Sequence, residues 1–178
     1  LVRIIILFFS LLKTNNMANH CYCGISFEGK DLTKIKEMIA EAIEVNKTEG
    51  WLPKSIDVSK LYYAHYLFDI EINGETEDSI SFACWTKWSP PIEELEYICR
   101  EANVSATCWY EETGMGIYGQ SFFDINTGIT KDSSLTDEQM NRVQYDEERD
   151  CYLFDGKEIE SDMEAYEQML DELLKTNS

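Results

Sequence analysis

The sequence predicts an α+β domain. Two observations carry this. Runs of strictly alternating apolar residues recur along the first 125 positions, and two amphipathic stripes of helical period interrupt them. A third observation places the strongest signal. Residues 79–123 read as a strand, a helix opened by paired prolines, and then two further strands.

The first strand spans Cys21 to Glu28, with Cys21, Cys23, Ile25 and Phe27 on one side and Tyr22, Gly24, Ser26 and Glu28 on the other. Gly29 ends it. Asp31 is placed to cap a helix, accepting a hydrogen bond from a free backbone N–H. Leu32, Ile35, Met38, Ile39, Ala42 and Ile43 then form one apolar stripe that ends near Asn46, and Gly50 breaks the pattern. Residues 47–63 read as a connection with a short element around Ile56 to Leu61. Tyr66, Phe68, Ile70 and Ile72 alternate, Asn73-Gly74 is a turn signal, and Ile80, Phe82 and Cys84 alternate again. Residues 64–86 are therefore expected to form a hairpin.

Ser89-Pro90-Pro91 opens the second helix, because proline's missing N–H costs nothing in a first turn. Glu93 and Glu94 suit the positive end of its dipole, and Ile92, Leu95, Ile98, Cys99 and Ala102 form its buried stripe. Ser105 to Glu111 and Gly116 to Phe123 are strands joined by Glu112-Thr113-Gly114. The order β-α-β-β-α-β is that of the ferredoxin-like plait, here with an extra strand closing a C-terminal hairpin.

Beyond Asp124 the composition shifts. Asn126 to Asp132 reads as a polar loop, and Leu135 to Glu138 as the start of a short helix. Arg142 to Tyr145 and Cys151 to Phe154 read as a small hairpin. Ser161 and Glu164 form a capping-box pattern ahead of an amphipathic helix bearing Met163, Tyr166, Leu170, Leu173 and Leu174. The expected organisation is a leader at 1–16, a domain at 17–125 and an acidic extension at 126–178.

Residues 1–16 carry a short apolar run, Ile4 to Leu12, too short to span a membrane and followed by no small-residue cleavage site. The expectation is that Met17 starts the chain and that 1–16 is an over-extended translation. The alternative is an export or anchor signal. With Met17 as the start, a cytoplasmic setting with reduced thiols follows.

Net charge is −19, from 34 acidic and 15 basic residues, and residues 132–178 alone hold 15 acidic and 4 basic. Such a chain repels phosphate backbones and anionic membranes, which argues against nonspecific nucleic-acid binding and membrane association. Apolar residues make up 44 % and aromatics 12 %, enough for a real core.

Three segments, MANHCYCGISFEGK at 17–30, TKWSPPIEELEYICRE at 86–101 and YEETGMGIYG at 110–119, resemble the YubB-type ferredoxin-like family of phages, prophages and conjugative plasmids. The resemblance covers residues 17–125. Family members more usually have Trp where this chain has His20. The resemblance implies a mobile-element origin, an intracellular setting and Met17 as the start. It carries over no catalytic residues, because the family is a domain of unknown function.

No catalytic residues are assigned from the sequence, and no cofactor is expected. Cys21, Cys23, Cys84, Cys99 and Cys108 read as small core residues. The alternative is a metal or small-molecule site around His20, Cys21 and Cys23, although the spacing is not the paired C-x-x-C of zinc sites. His65 has no serine or cysteine partner in a recognised motif.

The interaction candidates are Trp85, Trp88, Trp109, Tyr110, Tyr118 and Phe122, most of them expected on the sheet face opposite the helices. Three readings stay open for that face: coverage by residues 126–178, an interface with a protein partner or a second copy, and base stacking. The last lacks an RNP-like sequence and has the wrong charge. The functional expectation is a non-enzymatic accessory protein that binds a protein, a host factor among the choices. The alternatives are a metal- or small-molecule-dependent enzyme built around His20, Cys21 and Cys23, and an acidic nucleic-acid mimic.

Overall fold

The computed structural model describes residues 19–45, 50–112 and 114–176. The expected start at Met17, the end of the first helix near Asn46 and the turn residue Thr113 lie outside these.

The elements run β1 (His20–Glu28), α1 (Thr33–Val45), a 3-10 turn (Val58–Lys60), β2 (Phe68–Glu75), β3 (Ser79–Lys87), α2 (Ile92–Ala102), β4 (Ser105–Glu112) and β5 (Ile117–Asp124). They continue with β6 (Ile129–Ser134), α3 (Asp137–Met140), β7 (Val143–Asp146), β8 (Cys151–Phe154), β9 (Lys157–Ile159) and α4 (Asp162–Thr176). The main sheet has the order β2-β3-β1-β4-β5-β6. Its first four strands, all antiparallel, form the ferredoxin-like plait, and β5 and β6 extend it. The second sheet has the order β7-β8-β9. Among the described residues, no helix is long and apolar enough to cross a membrane.

The alternation of β1 decides where the core lies. Cys21 pairs with Thr86, Cys23 with Cys84, Ile25 with Phe82 and Phe27 with Ile80, and all eight side chains are buried on the helix side. Ile35, Ile39 and Ala42 of α1 and Leu95, Ile98 and Cys99 of α2 close over them. Asp31 caps α1 as expected, accepting from the Thr33 N–H at 3.0 Å. Asn103 ends α2 in the left-handed conformation, φ 57°, and its N–H reaches the Cys99 carbonyl.

Three segments differ from expectation. Asn73-Gly74 is not a turn: β2 runs through it to Glu75, with its register slipping between Ile72 and Gly74. The reversal comes at Thr76–Asp78, where the Thr76 hydroxyl accepts from the Ser79 N–H at 3.0 Å and its own N–H reaches the Ser79 carbonyl at 2.8 Å. Tyr66, expected in the strand, is exposed, whereas Leu67 is buried and bridges Trp51.

The polar segment 126–132 is not all loop, because its second half enters β6. The Asp124 carboxylate accepts from the Asn126 N–H at 2.9 Å and the Thr127 hydroxyl at 2.9 Å, and Gly128 takes φ 68°. That turn delivers the chain back along β5. The strand is polar because it sits at an edge: Thr130 donates to Glu96 at 2.9 Å and Asp132 accepts from Tyr110 at 2.8 Å.

The third difference is β9. Asp155 and Gly156, both at positive φ (50° and 79°), make the two-residue turn that a tight hairpin requires. The β7–β8 hairpin and the short helix α3 form as expected. The capping box of α4 is half formed. The Ser161 hydroxyl accepts from the Glu164 N–H, but the Glu164 carboxylate accepts from Glu160 instead.

Candidate functional site

The face of the main sheet turned away from α1 and α2 is aromatic. Tyr22 of β1 stands opposite Trp85 of β3, their rings 4.8 Å apart, and meets the edge of Trp109 of β4 at 5.3 Å. Trp85 is 39 % exposed, Trp109 37 % and Phe122 39 %. His20 approaches Trp85 at 6.4 Å, and the Lys87 ammonium lies 5.4 Å over the Phe68 ring. Between these last residues, with Asp69, lies a cleft of about 210 Å³.

The rings can lie this close because β1 carries glycine at their centre. A Cβ built on Gly24 would fall 2.0 Å from Trp109 Nε1. The indole therefore uses the space above the bare backbone.

The extension covers one end of this face and leaves the rest. Tyr118 is buried there with Leu135, Met169 and Leu170, and its ring lies 5.3 Å from Tyr166 of α4. Its hydroxyl is pushed up to about 12, first by burial and then by the Glu167 carboxylate. Among the described residues, Trp85, Trp109 and Phe122 are not part of that cluster and stay more than a third exposed.

Glu111 lies on the same face, opposite Tyr22 and Tyr118. Burial first, and then the Asp162 carboxylate, raise its carboxyl above the usual range. Among the described residues no cation forms an ion pair with Glu111 or Asp162.

Of the six interaction candidates, Trp85, Trp109 and Phe122 share the open part of the face, and Tyr118 lies on it beneath the extension. Tyr110 does not belong there. It is 2 % exposed and belongs to the helix-side core, because it follows the inward phase of Ala106 and Cys108 along β4. Trp88 is exposed but lies past the end of β3 in the turn before α2, at φ 74°. Phe122 and Phe123 point to opposite faces, the second into the core.

The alternative cluster does not converge. Cys21 and Cys23 are buried on the helix side, sulfurs 3.9 Å apart, while His20 is exposed and belongs to the opposite phase of β1. The hydrogen bond from Cys23, and then burial, push the Cys21 thiol far up, and burial raises Cys99 to about 12. Both surroundings favour the protonated thiol. Among the described residues, no group of three or more His, Cys, Asp and Glu is placed to hold a metal ion.

One constellation escaped the sequence reading. His65 Nε2 lies 2.7 Å from Ser89 Oγ, and its Nδ1 lies 3.2 Å from Oε1 of Glu94. The sequence suggests for Glu94 only a place at the positive end of the helix dipole. It is instead fully buried, and its Oε1 also accepts from the His65 backbone N–H at 2.6 Å. The three residues come from the segment before β2, the turn after β3 and the first turn of α2, so no local spacing announces them.

Residues 67–172 match the family model described as "Ferredoxin-like domain in Api92-like protein". The matched span begins just before β2 and runs into α4, so it includes the second sheet, while β1 and α1 precede it. No curated protein and no solved structure matches the chain. More than half of the sequence lies within the matched span, and the chain belongs to the family of ferredoxin-like domains in Api92-like proteins.

Proposed function

We propose that this chain is a protein-interaction module whose open sheet face docks a basic segment of a partner protein. The observation that carries the proposal is the run of touching rings Trp85, Tyr22 and Trp109, of which the two tryptophans are more than a third exposed. Exposed clusters of large aromatic residues mark interaction surfaces, and aromatic faces attract Arg and Lys. The charge selects the same partner: a net −19 draws basic chains, and Glu111 beside Asp162 is a pair of acids that a bound cation would relieve. The YubB-type resemblance supports a setting in a phage or related mobile element. The partner is then a host protein, a defence factor among the choices, met in the host cytoplasm.

A defined peptide tests the surface. A twelve-residue peptide alternating Arg and Leu, titrated into the full chain, should change tryptophan fluorescence at moderate salt. Trp85→Ala and Trp109→Ala should each weaken binding at least tenfold. The same two variants should lose whatever partner the wild-type chain captures from host lysate. Equal binding by the variants would remove the aromatic face from the account.

A further inference from the structure

The Ser89, His65 and Glu94 arrangement has the parts of an activated nucleophile. The Glu94 carboxylate is buried, Oε1 bonded to both His65 N–H groups, and Oε2 is left without a hydrogen-bond partner among the described residues. A carboxylate at Nδ1 holds the proton on that nitrogen. Nε2 is then a lone pair 2.7 Å from the Ser89 hydroxyl. This is the sequence nucleophile, base and orienting carboxylate that acyl-transfer sites require.

The turn that carries Ser89 is under constraint. Trp88 takes φ 74°, and the Ser89 N–H closes back on the Lys87 carbonyl at 3.0 Å. A bulky non-glycine residue in that region is strained, and such strain concentrates at functional sites. Two bonds hold the turn: the Trp88 N–H to the Asn19 carbonyl at 2.9 Å, and the Thr86 hydroxyl to the Ser89 carbonyl at 2.8 Å. Ser89 and His65 are only partly buried, and the half-exposed Tyr63 ring lies 5.1 Å from the imidazole, an apolar wall within reach of a ligand.

We propose that Ser89 takes the acyl group of a small activated ester, with His65 as its base and Glu94 as a positioning residue. The Ser89 proton passes to Nε2 as Oγ bonds to the carbonyl carbon. The bond to the leaving oxygen breaks, and that proton goes to the leaving group. Water then attacks the serine ester, His65 accepts a proton from it and returns one to Oγ, and the carboxylic acid leaves.

The same turn limits the substrate. Pro90 and Pro91 have no N–H, and the N–H of Ser89 is already bonded to Lys87. The amides nearest the nucleophile cannot stabilise an oxyanion. Esters with good leaving groups are therefore the class that reacts; peptide bonds are not.

The test is labelling of the full chain with a fluorophosphonate probe, beside hydrolysis of p-nitrophenyl acetate, with adducts mapped by mass spectrometry. One adduct is expected, on Ser89. Ser89→Ala should abolish it and His65→Gln should slow it at least tenfold. Glu94→Gln should shift the pH profile, with Glu94→Asp restoring part of the rate. Ser89→Cys supplies a second reading that does not depend on removing a core group. Its thiol should react with iodoacetamide with a midpoint well below the ordinary cysteine value of about 8.5. No adduct, an adduct elsewhere, wild-type labelling of folded His65→Gln, or an ordinary thiol profile would each overturn the proposal.

Discussion

Trp109 rests on Gly24, its Nε1 2.0 Å from the place a Cβ would occupy. Gly24→Ala must lift the indole off β1. Trp109 is a surface side chain and can swing outward, so the fold survives, with a loss of about 1–3 kcal/mol. Urea denaturation measures the loss. The tryptophan emission of the folded variant should move to longer wavelength, and unchanged emission would mean that the indole does not depend on the glycine.

Glu111 makes a pH prediction. Its carboxyl titrates above its ordinary 4.5 in the folded chain because of burial and then Asp162. The folded state therefore holds this proton more tightly than the unfolded chain does. Between the two pKa values, stability falls as pH rises. Glu111→Gln should stabilise the protein at pH 7, and the gain should fade below pH 4.5. Thermal melts at pH 4 and pH 7 check it, and an equal shift at both would contradict the assignment.

Met169 joins the extension to the sheet. It is 2 % exposed, in one cluster with Tyr118, Leu135 and Leu170. Met169→Ala should cost about 2–5 kcal/mol. Hydrogen exchange should accelerate in α4 first and leave β1 and β3 protected. Uniform acceleration would mean that the two clusters unfold as one.

Asn103 tests the end of α2. It takes φ 57°, a conformation in which a Cβ costs about 1–2 kcal/mol and which asparagine tolerates better than most residues. Asn103→Ala should destabilise by about 1 kcal/mol, and Asn103→Gly should restore the loss. Chemical denaturation of the pair decides it. An alanine variant as stable as the glycine variant would rule out backbone strain there.

The plait was legible where one face of a strand is fully buried. Cys21 to Phe27 and Ile80 to Cys84 alternate because every second side chain enters the core. The edge strands were harder to read. β6 has Ile129 as its one large apolar residue, since hydrogen bonds to Glu96 and Tyr110 do the work that burial does elsewhere. In β2 a bulge absorbs Asn73-Gly74, a pair that would otherwise signal a turn. At Tyr110 the phase of the strand, not the aromatic residue type, decides the side: Cys108 faces inward, so Trp109 faces out and Tyr110 in. The Ser89–His65 pair, 24 residues apart, depends on how the segment before β2 crosses the start of α2, and nothing local encodes that.

The irregular path of β2 bears on assembly. A straight edge strand offers a ladder of free N–H and C=O groups on which further chains can stack without limit. Here one edge of the main sheet slips register twice, takes positive φ at Asp69 and carries Asp69, Glu71 and Glu75, while the other, β6, is six residues long and bears Lys131 and Asp132. Both edges thus carry features that disfavour strand-to-strand stacking. Contact through the partly exposed rings of Trp85, Trp109 and Phe122 is separate from strand pairing, so the docking proposed for that face would be a finite, reversible association rather than an open-ended one.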